Sequence, residues 1–346
     1  MTTFIDSAAQ WMTRVSYDAM VSLGIPGPGA EFIIAFILGL VLFLVCAGYA
    51  IMAGYIERKY IGRIHSRIGP MYTGPAGILQ TAADALKFIR KEVIFPVGSD
   101  RVLFTIAPVL MILTHLAALA FVPLGSYTPI ATPYGLIIVI AILSLTPIGI
   151  LVGSWASNSK YSTLGGLRSA GLTMAYEVLL AVAIASVILT THSMSITEIV
   201  GFQDTHGVWL LFLQPLAFAL FFIAAVASVE RNPLDLTEAE SELVNGWRTE
   251  YGGVYFSLTL LAEYIKLLVM CILLVVLFMG GWSDWTGEIG FILKIVALTV
   301  LMIAIRATAM RYRMDQLLHD LWTRLIPLAF INIIVTIIVL RIVGGA

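Results

Sequence analysis

Polar residues are spaced along this chain in a way that marks its architecture before any motif is considered. Eight apolar runs, at 32–56, 102–124, 135–156, 172–190, 209–229, 254–279, 291–309 and 324–342, alternate with polar intervals. A helix of about 20 residues crosses the hydrocarbon core of a bilayer, and it satisfies its own backbone hydrogen bonds there. Ahead of these runs, Phe4, Ala8, Trp11, Met12, Val15 and Ala19 recur at helical spacing, with Asp6, Arg14 and Asp18 elsewhere on the wheel, until the Gly- and Pro-rich stretch 24–29 stops the pattern. This predicts an interfacial amphipathic helix over 3–23. It does not read as a signal peptide, which needs a basic leader before a compact apolar core. The expected fold is an all-α polytopic membrane protein, a single membrane domain over 1–346. It has about eight transmembrane helices, the N-terminal amphipathic helix and structured cytoplasmic loops at 57–101 and 230–253.

Charge orients this layout. Sixteen of the Lys and Arg residues fill or flank the loops after the first, third, fifth and seventh spans, and the loops after the second, fourth and sixth have none. By the positive-inside rule the odd-numbered loops are cytoplasmic and both termini lie outside. Composition agrees, at 60% hydrophobic and 12% charged, the latter about half the 25% usual for soluble domains. No basic stripe with interleaved aromatics suggests nucleic acid. Cys46 and Cys271 are too few for an iron-sulfur cluster or a four-ligand zinc site, and neither a P-loop nor a dinucleotide fingerprint is present. Redox cofactors, nucleotides and metals are therefore expected on partner chains.

Two loops have patterns of their own. In 57–101, Gly69-Pro70, Gly74-Pro75 and Gly77 mark turns; Leu79, Ala82, Leu86 and Ile89 then share a helical face opposite Gln80, Asp84, Lys87 and Lys91, which suits a surface helix or a docking helix. The segment Glu230–Tyr251 carries six acids (Glu230, Asp235, Glu238, Glu240, Glu242, Glu250) and two arginines (Arg231, Arg248), a formal charge of −4. Held between two spans, it must sit at the membrane surface or fold back into a polar cavity. Thr237 and Glu240 form a capping box and Gly246 suits a stop, so a short helix is predicted over 238–245. Glu238 and Glu242 would share one face, a like-charge pair that disfavours a free helix. The pair fits proton sharing, a basic partner surface or a solvated acidic turn.

Within the spans, Glu177 lies about six residues into the fourth and Glu263 about ten into the sixth. Carboxylates at membrane depth are costly and mark ion or proton pathways by default. Lys266, one helical turn from Glu263, offers an ion pair as the structural alternative. Lys294 is expected to snorkel and His115 to make a hydrogen-bonded helix contact. Arg306, Arg311 and Arg313, followed by Asp315, crowd the end of the seventh span, to hold lipid phosphates or the acidic loop.

Three ordered motifs are specific enough to suggest a family. One comprises Arg231, Pro233, Asp235, Leu236, 238–244, Gly246, 249–251, Gly253 and 262–264; a second 57–59, Arg63, Arg67, Gly69-Pro70, Gly74, Gly77, Leu79-Gln80, Ala83-Asp84, Lys87 and Lys91-Glu92; a third 306–308, Arg311, Arg313, 315–317, Trp322 and Pro327. Together the chain resembles the H-subunit family of NADH-quinone oxidoreductase, respiratory complex I. The resemblance implies a subunit joining the redox arm to the membrane arm, in a prokaryotic plasma membrane or an organellar inner membrane. It shares a site for its quinone substrate with partner subunits and has no complete active site alone. Arg58, Arg67, Arg231, Asp235, Arg311, Arg313 and Asp315 would shape the quinone chamber and its entrance; Glu177, Glu230, Glu238, Glu240, Glu242 and Glu263 would carry proton coupling. Flavin and iron-sulfur clusters would reside on redox-arm partners, and small and antiporter-like membrane subunits would complete the assembly. The electron donor, whether NADH, a reduced deazaflavin or ferredoxin, would bind elsewhere. The chain departs from the family pattern at His65, Met71-Tyr72 and Ala309-Met310, beside the implied entrance. The membrane anchor of an energy-converting hydrogenase and a stand-alone ion transporter are the alternatives, the latter without an obvious inverted repeat.

Overall fold

A computed structural model describes residues 27–234, 244–283 and 287–343. The interfacial helix expected over 3–23 lies outside the described residues, as does most of the helix expected over 238–245. The described residues are helices and turns, with one isolated antiparallel bridge between Leu124 and Tyr127. In chain order the helices are α1 (Gly27–Ile64), α2 (Gln80–Arg90), α3 (Arg101–Phe121), α4 (Gly135–Leu143), α5 (Thr146–Ala156), α6 (Lys160–Thr191), α7 (Ile196–His206), α8 (Leu210–Leu213), α9 (Pro215–Ser228), α10 (Gly253–Phe278), α11 (Gly287–Thr308), α12 (Met314–Asp320) and α13 (Ile326–Val343). A π-helical segment, Leu321–Leu325, joins the last two into one long apolar rod.

Seven helical stretches among the described residues are long and apolar enough to cross a membrane. The fifth expected span, 209–229, is instead two pieces, α8 and α9. Pro215 lacks an N–H and disfavours helical geometry in the residue before it, and the break falls on Gln214 (φ −133°, ψ 63°). Two other boundaries move. α1 continues eight residues past the expected end at 56, so Glu57, Arg58, Lys59 and Arg63 ride on the span helix and not in the loop. α6 begins at Lys160, which puts Glu177 near its middle instead of six residues from its start.

α10 is the central column. Every residue from Ile265 to Phe278 is buried, and α1, α2, α3, α7, α9 and α11 pack around it. Its apolar surface is thus spent on protein, whereas α1 and α13 keep Phe36, Leu44, Ile331 and Ile334 exposed, as lipid-facing helices do. Small residues allow close approach elsewhere: a Cβ on Gly166 of α6 would lie 2.0 Å from Ser154 Oγ of α5. The far end of α10 is closed by side chains. Gln203 Nε2 donates to the carbonyls of Val276 (2.9 Å) and Leu277 (3.3 Å), while its Oε1 accepts from Leu210 N (3.1 Å) and Gly280 N (3.0 Å). Lys294 does not snorkel outward: its Nζ donates to Met279 O at 2.7 Å and lies 4.8 Å from the Trp209 ring centre. Carbonyls at a helix C-terminus lack intrahelical partners, and this ammonium supplies one just past it.

Candidate functional site

The polar end of the bundle is organised by Glu57. As the lone acid between residues 32 and 83 it stands among basic neighbours, and the prolongation of α1 carries it inside, where it is buried. Its Oε2 accepts from Arg231 Nη1 at 2.6 Å and from the Tyr264 hydroxyl at 3.1 Å; its Oε1 accepts from Arg306 Nη1. One carboxylate thereby ties α1 to the start of the acidic segment, to α10 and to α11. Arg231 is 4% exposed, and its guanidinium lies over the Tyr264 ring, 4.9 Å from the centroid, a cation–π arrangement. Burial pulls the Arg231 pKa down, but Glu57, Tyr264 and Glu263 together outweigh it, and the value ends above the ordinary arginine range. Arg231 therefore stays charged.

The acidic segment folds back into the bundle at both described ends. At its start Glu230 (φ 56°) accepts from Ser169 Oγ of α6 at 2.9 Å, and Pro233 O accepts from Tyr312 N at 3.1 Å, which ties it to the irregular segment after α11. At its end Val244 and Asn245 form a turn and Gly246–Arg248 a 3-10 turn, so the predicted helix does not extend through 245. Trp247 and Arg248 are wholly buried there. Ser162 Oγ donates to Trp247 O (2.8 Å) and Arg248 Nη2 to Glu263 Oε1. This approach needs Gly165, where a Cβ would sit 2.6 Å from the Gly246 carbonyl carbon. Glu263 is consequently a partner of the loop, not an isolated acid at the bilayer middle.

These groups form one continuous set of charges. Arg231, bound to Glu57, also lies within electrostatic reach of Glu263. Lys266, 5% exposed, lies within electrostatic reach of Glu230, Glu177 and Glu263. Four bases (Arg231, Arg248, Lys266, Arg306) thus meet four carboxyl groups (Glu57, Glu177, Glu230, Glu263). The series runs from the acidic segment to mid-helix, where Glu177 Oε1 is buried without a hydrogen bond. It borders a void of about 10 Å³ lined by Leu143, Leu180, Phe221, Met270 and Leu273 among others, on the scale of one water.

Comparison with known proteins identifies the chain's relatives. A family model described as NADH dehydrogenase matches residues 36–337. Proteins named as the H subunit of NADH-quinone oxidoreductase are similar over nearly their whole length. That of Geobacillus thermodenitrificans is 43% identical, covering 87% of this chain and 93% of its own. Those of Brevibacillus brevis (42%; 91% and 94%) and Rhodospirillum centenum (41%; 92% and 96%) are close behind. This chain belongs to the H-subunit family of NADH-quinone oxidoreductase.

Of the residues that the family motifs point to, Arg231, which is buried, and the partly buried Glu230, Glu177 and Glu263 join the charge set. Asp235, Glu238, Glu240 and Glu242 lie outside the described residues. Arg58 faces outward and pairs with Asp84 of α2. Arg313 and Asp315 pair with each other at 3.5 Å, both well exposed, and Arg67 and Arg311 are exposed too. Among the departures, His65 Nε2 lies 3.3 Å from Ala307 O, joining the ends of α1 and α11, while Tyr72 and Met310 are exposed. His115 contacts Thr146 Oγ1 at 3.2 Å, the expected helix contact. Residue reasoning missed Glu57, Tyr264, Arg248 and Arg306 as site residues. Glu57 had a readable signal, a single acid inside a basic stretch at the end of an apolar run.

Proposed function

We propose that this chain is the membrane subunit through which a complex I-type enzyme converts quinone reduction into proton translocation. The observation that carries this reading is the electrostatically linked set of charges that runs from Arg306 and Glu57 through Arg231, Glu263 and Lys266 to Glu230 and Glu177. Charge appearing at one end of such a series alters the protonation of the rest, because closely spaced sites titrate together and a low-dielectric interior screens little. Quinone reduction needs protons and changes local charge beside the acidic segment. Arg231 and Asp235 would face the chamber, with Arg58, Arg67, Arg311, Arg313 and Asp315 at its entrance. Glu230, Glu238, Glu240 and Glu242 would take up protons, and Glu263 and Glu177 would pass them to membrane depth. The chain completes its site only against redox-arm subunits, which would hold the flavin and iron-sulfur clusters. Small and antiporter-like subunits would continue the proton path within the membrane. The exposed, basic α2 side and the acidic segment would face the cytoplasm, with the termini opposite.

Purification of the native complex through a tag on this chain tests the reading. Iron-sulfur and antiporter-like subunits should co-purify, with donor-dependent quinone reduction; a nickel-bearing partner without quinone turnover would replace the reading with that of a hydrogenase anchor.

A further inference from the structure

A second cavity adjoins the charge set. It has a volume of about 400 Å³ and is walled by Phe222, Ile223 and Val226 of α9, Ile305 of α11, and Leu317 and Leu325 of the α12–α13 rod, with Pro233, Leu234 and Tyr312 closing one side. That is within the range of small-ligand sites. Val226, Leu234 and Leu317 are buried and form its depth, whereas Ile223, at 39%, and Tyr312, at 50%, are exposed at its mouth. Two charged residues of its lining, Asp320 and Arg324, are joined at 2.9 Å, and the Arg324 side chain is 74% exposed. From Leu325 to Leu340 the chain carries no charge, so Arg324 stands where the rod leaves the apolar layer, at headgroup level.

We infer that this cavity holds one acyl chain of a membrane phospholipid with a primary-amine headgroup, its phosphate on Arg324 and its ammonium on Asp320. The lining is too apolar for a free polar ligand and opens among lipid-facing side chains. Its mouth offers both signs of charge side by side, which matches a zwitterionic headgroup better than a purely anionic one. A guanidinium has five donors, and Asp320 takes one Nη group of Arg324, leaving others for a phosphate. Basic pockets between spans recognise lipid headgroups in this way. The lipid would also bear on the charge set. Pro233 and Ile305 in the cavity wall stand two residues from Arg231 and next to Arg306, so an occupied cavity braces both arginines that hold Glu57.

The test counts lipids and does not depend on the quinone reading. The native complex is purified in mild detergent, washed, and its retained lipids quantified per complex for wild type, Arg324→Gln, Asp320→Asn and Val226→Phe. Arg324 is exposed, so its replacement is tolerated even if the bulkier side chain at 226 blocks assembly. Wild type should retain about one phosphatidylethanolamine more than Arg324→Gln or an assembled Val226→Phe, and Asp320→Asn should exchange that lipid for phosphatidylglycerol. Equal lipid content in wild type and Arg324→Gln, an unchanged headgroup in Asp320→Asn, or quinone as the molecule lost would overturn the inference.

Discussion

Replacing Glu57 with Gln removes one charge and keeps nearly the same shape, so its effect can be worked out from the partners of the carboxylate. That group takes three donors, from Arg231, Tyr264 and Arg306. An amide has one oxygen and an NH₂ that is itself a donor, so either Arg306 or the Arg231–Tyr264 pair must face a donor in place of an acceptor. The two arms are unequal. Arg306 has a side chain 31% exposed and water screens it, whereas Arg231 at 5% has little recourse to solvent. Leaving a buried charge without its partner costs about 3–5 kcal/mol, while an exposed pair contributes at most about 1 kcal/mol. Most of the loss therefore falls on Arg231. A double-mutant cycle in the assembled complex, read by thermal dissociation, separates the arms. Glu57→Gln with Arg231→Met should show coupling of about 2 kcal/mol or more, and Glu57→Gln with Arg306→Met clearly less. Equal couplings, or a Glu57→Gln complex as stable as wild type, would refute the assignment of Glu57 as the organising residue.

Two further outcomes concern the folded-back end of the acidic segment. Gly165→Ala places a Cβ 2.6 Å from backbone at Gly246, so overpacking of about 1–3 kcal/mol is expected; Gly171→Ala, with nothing within 4 Å, is the control, and thermal stability of the complex should drop in the first only. Tyr251, whose hydroxyl donates to Phe104 O and Gly153 O at 3.3 Å, has its pKa raised by burial and by neighbouring Tyr255. The folded state holds its proton longer than the unfolded one, so this contribution is present below about pH 10, the unfolded value, and fades as pH rises from there toward the folded value. Tyr251→Phe should flatten the alkaline loss of stability, and an unchanged slope between about pH 9 and 11, the range around that unfolded value, would contradict this.

Much of the membrane architecture was readable because apolar run length speaks directly to helix length. What the pattern could not convey was where a helix ends once it leaves the apolar layer. α1 continues through Glu57-Arg-Lys because Glu57 finds partners at Arg231, on α10 and on α11, and no local signal encodes partners more than 170 residues away. The broken fifth span was foreshadowed by Pro215 alone. The partners of Glu263 and Lys294 were not legible for a common reason: a charge inside an apolar run announces itself, but which neighbour neutralises it is a property of the packing. Arg248 and a backbone carbonyl past the end of α10 are those neighbours. The acids Glu177 and Glu230 were legible from depth and density of charge, and the role of Lys266 as their shared counter-charge emerged only when three segments met.

The most direct test reconstitutes the complex in vesicles and measures protons moved per electron with wild type and Glu177→Gln. Glu177 ends the charge series near the middle of α6, so the variant should retain quinone reduction while its proton-to-electron ratio falls. An unchanged ratio at full turnover would mean that protons do not pass through this series.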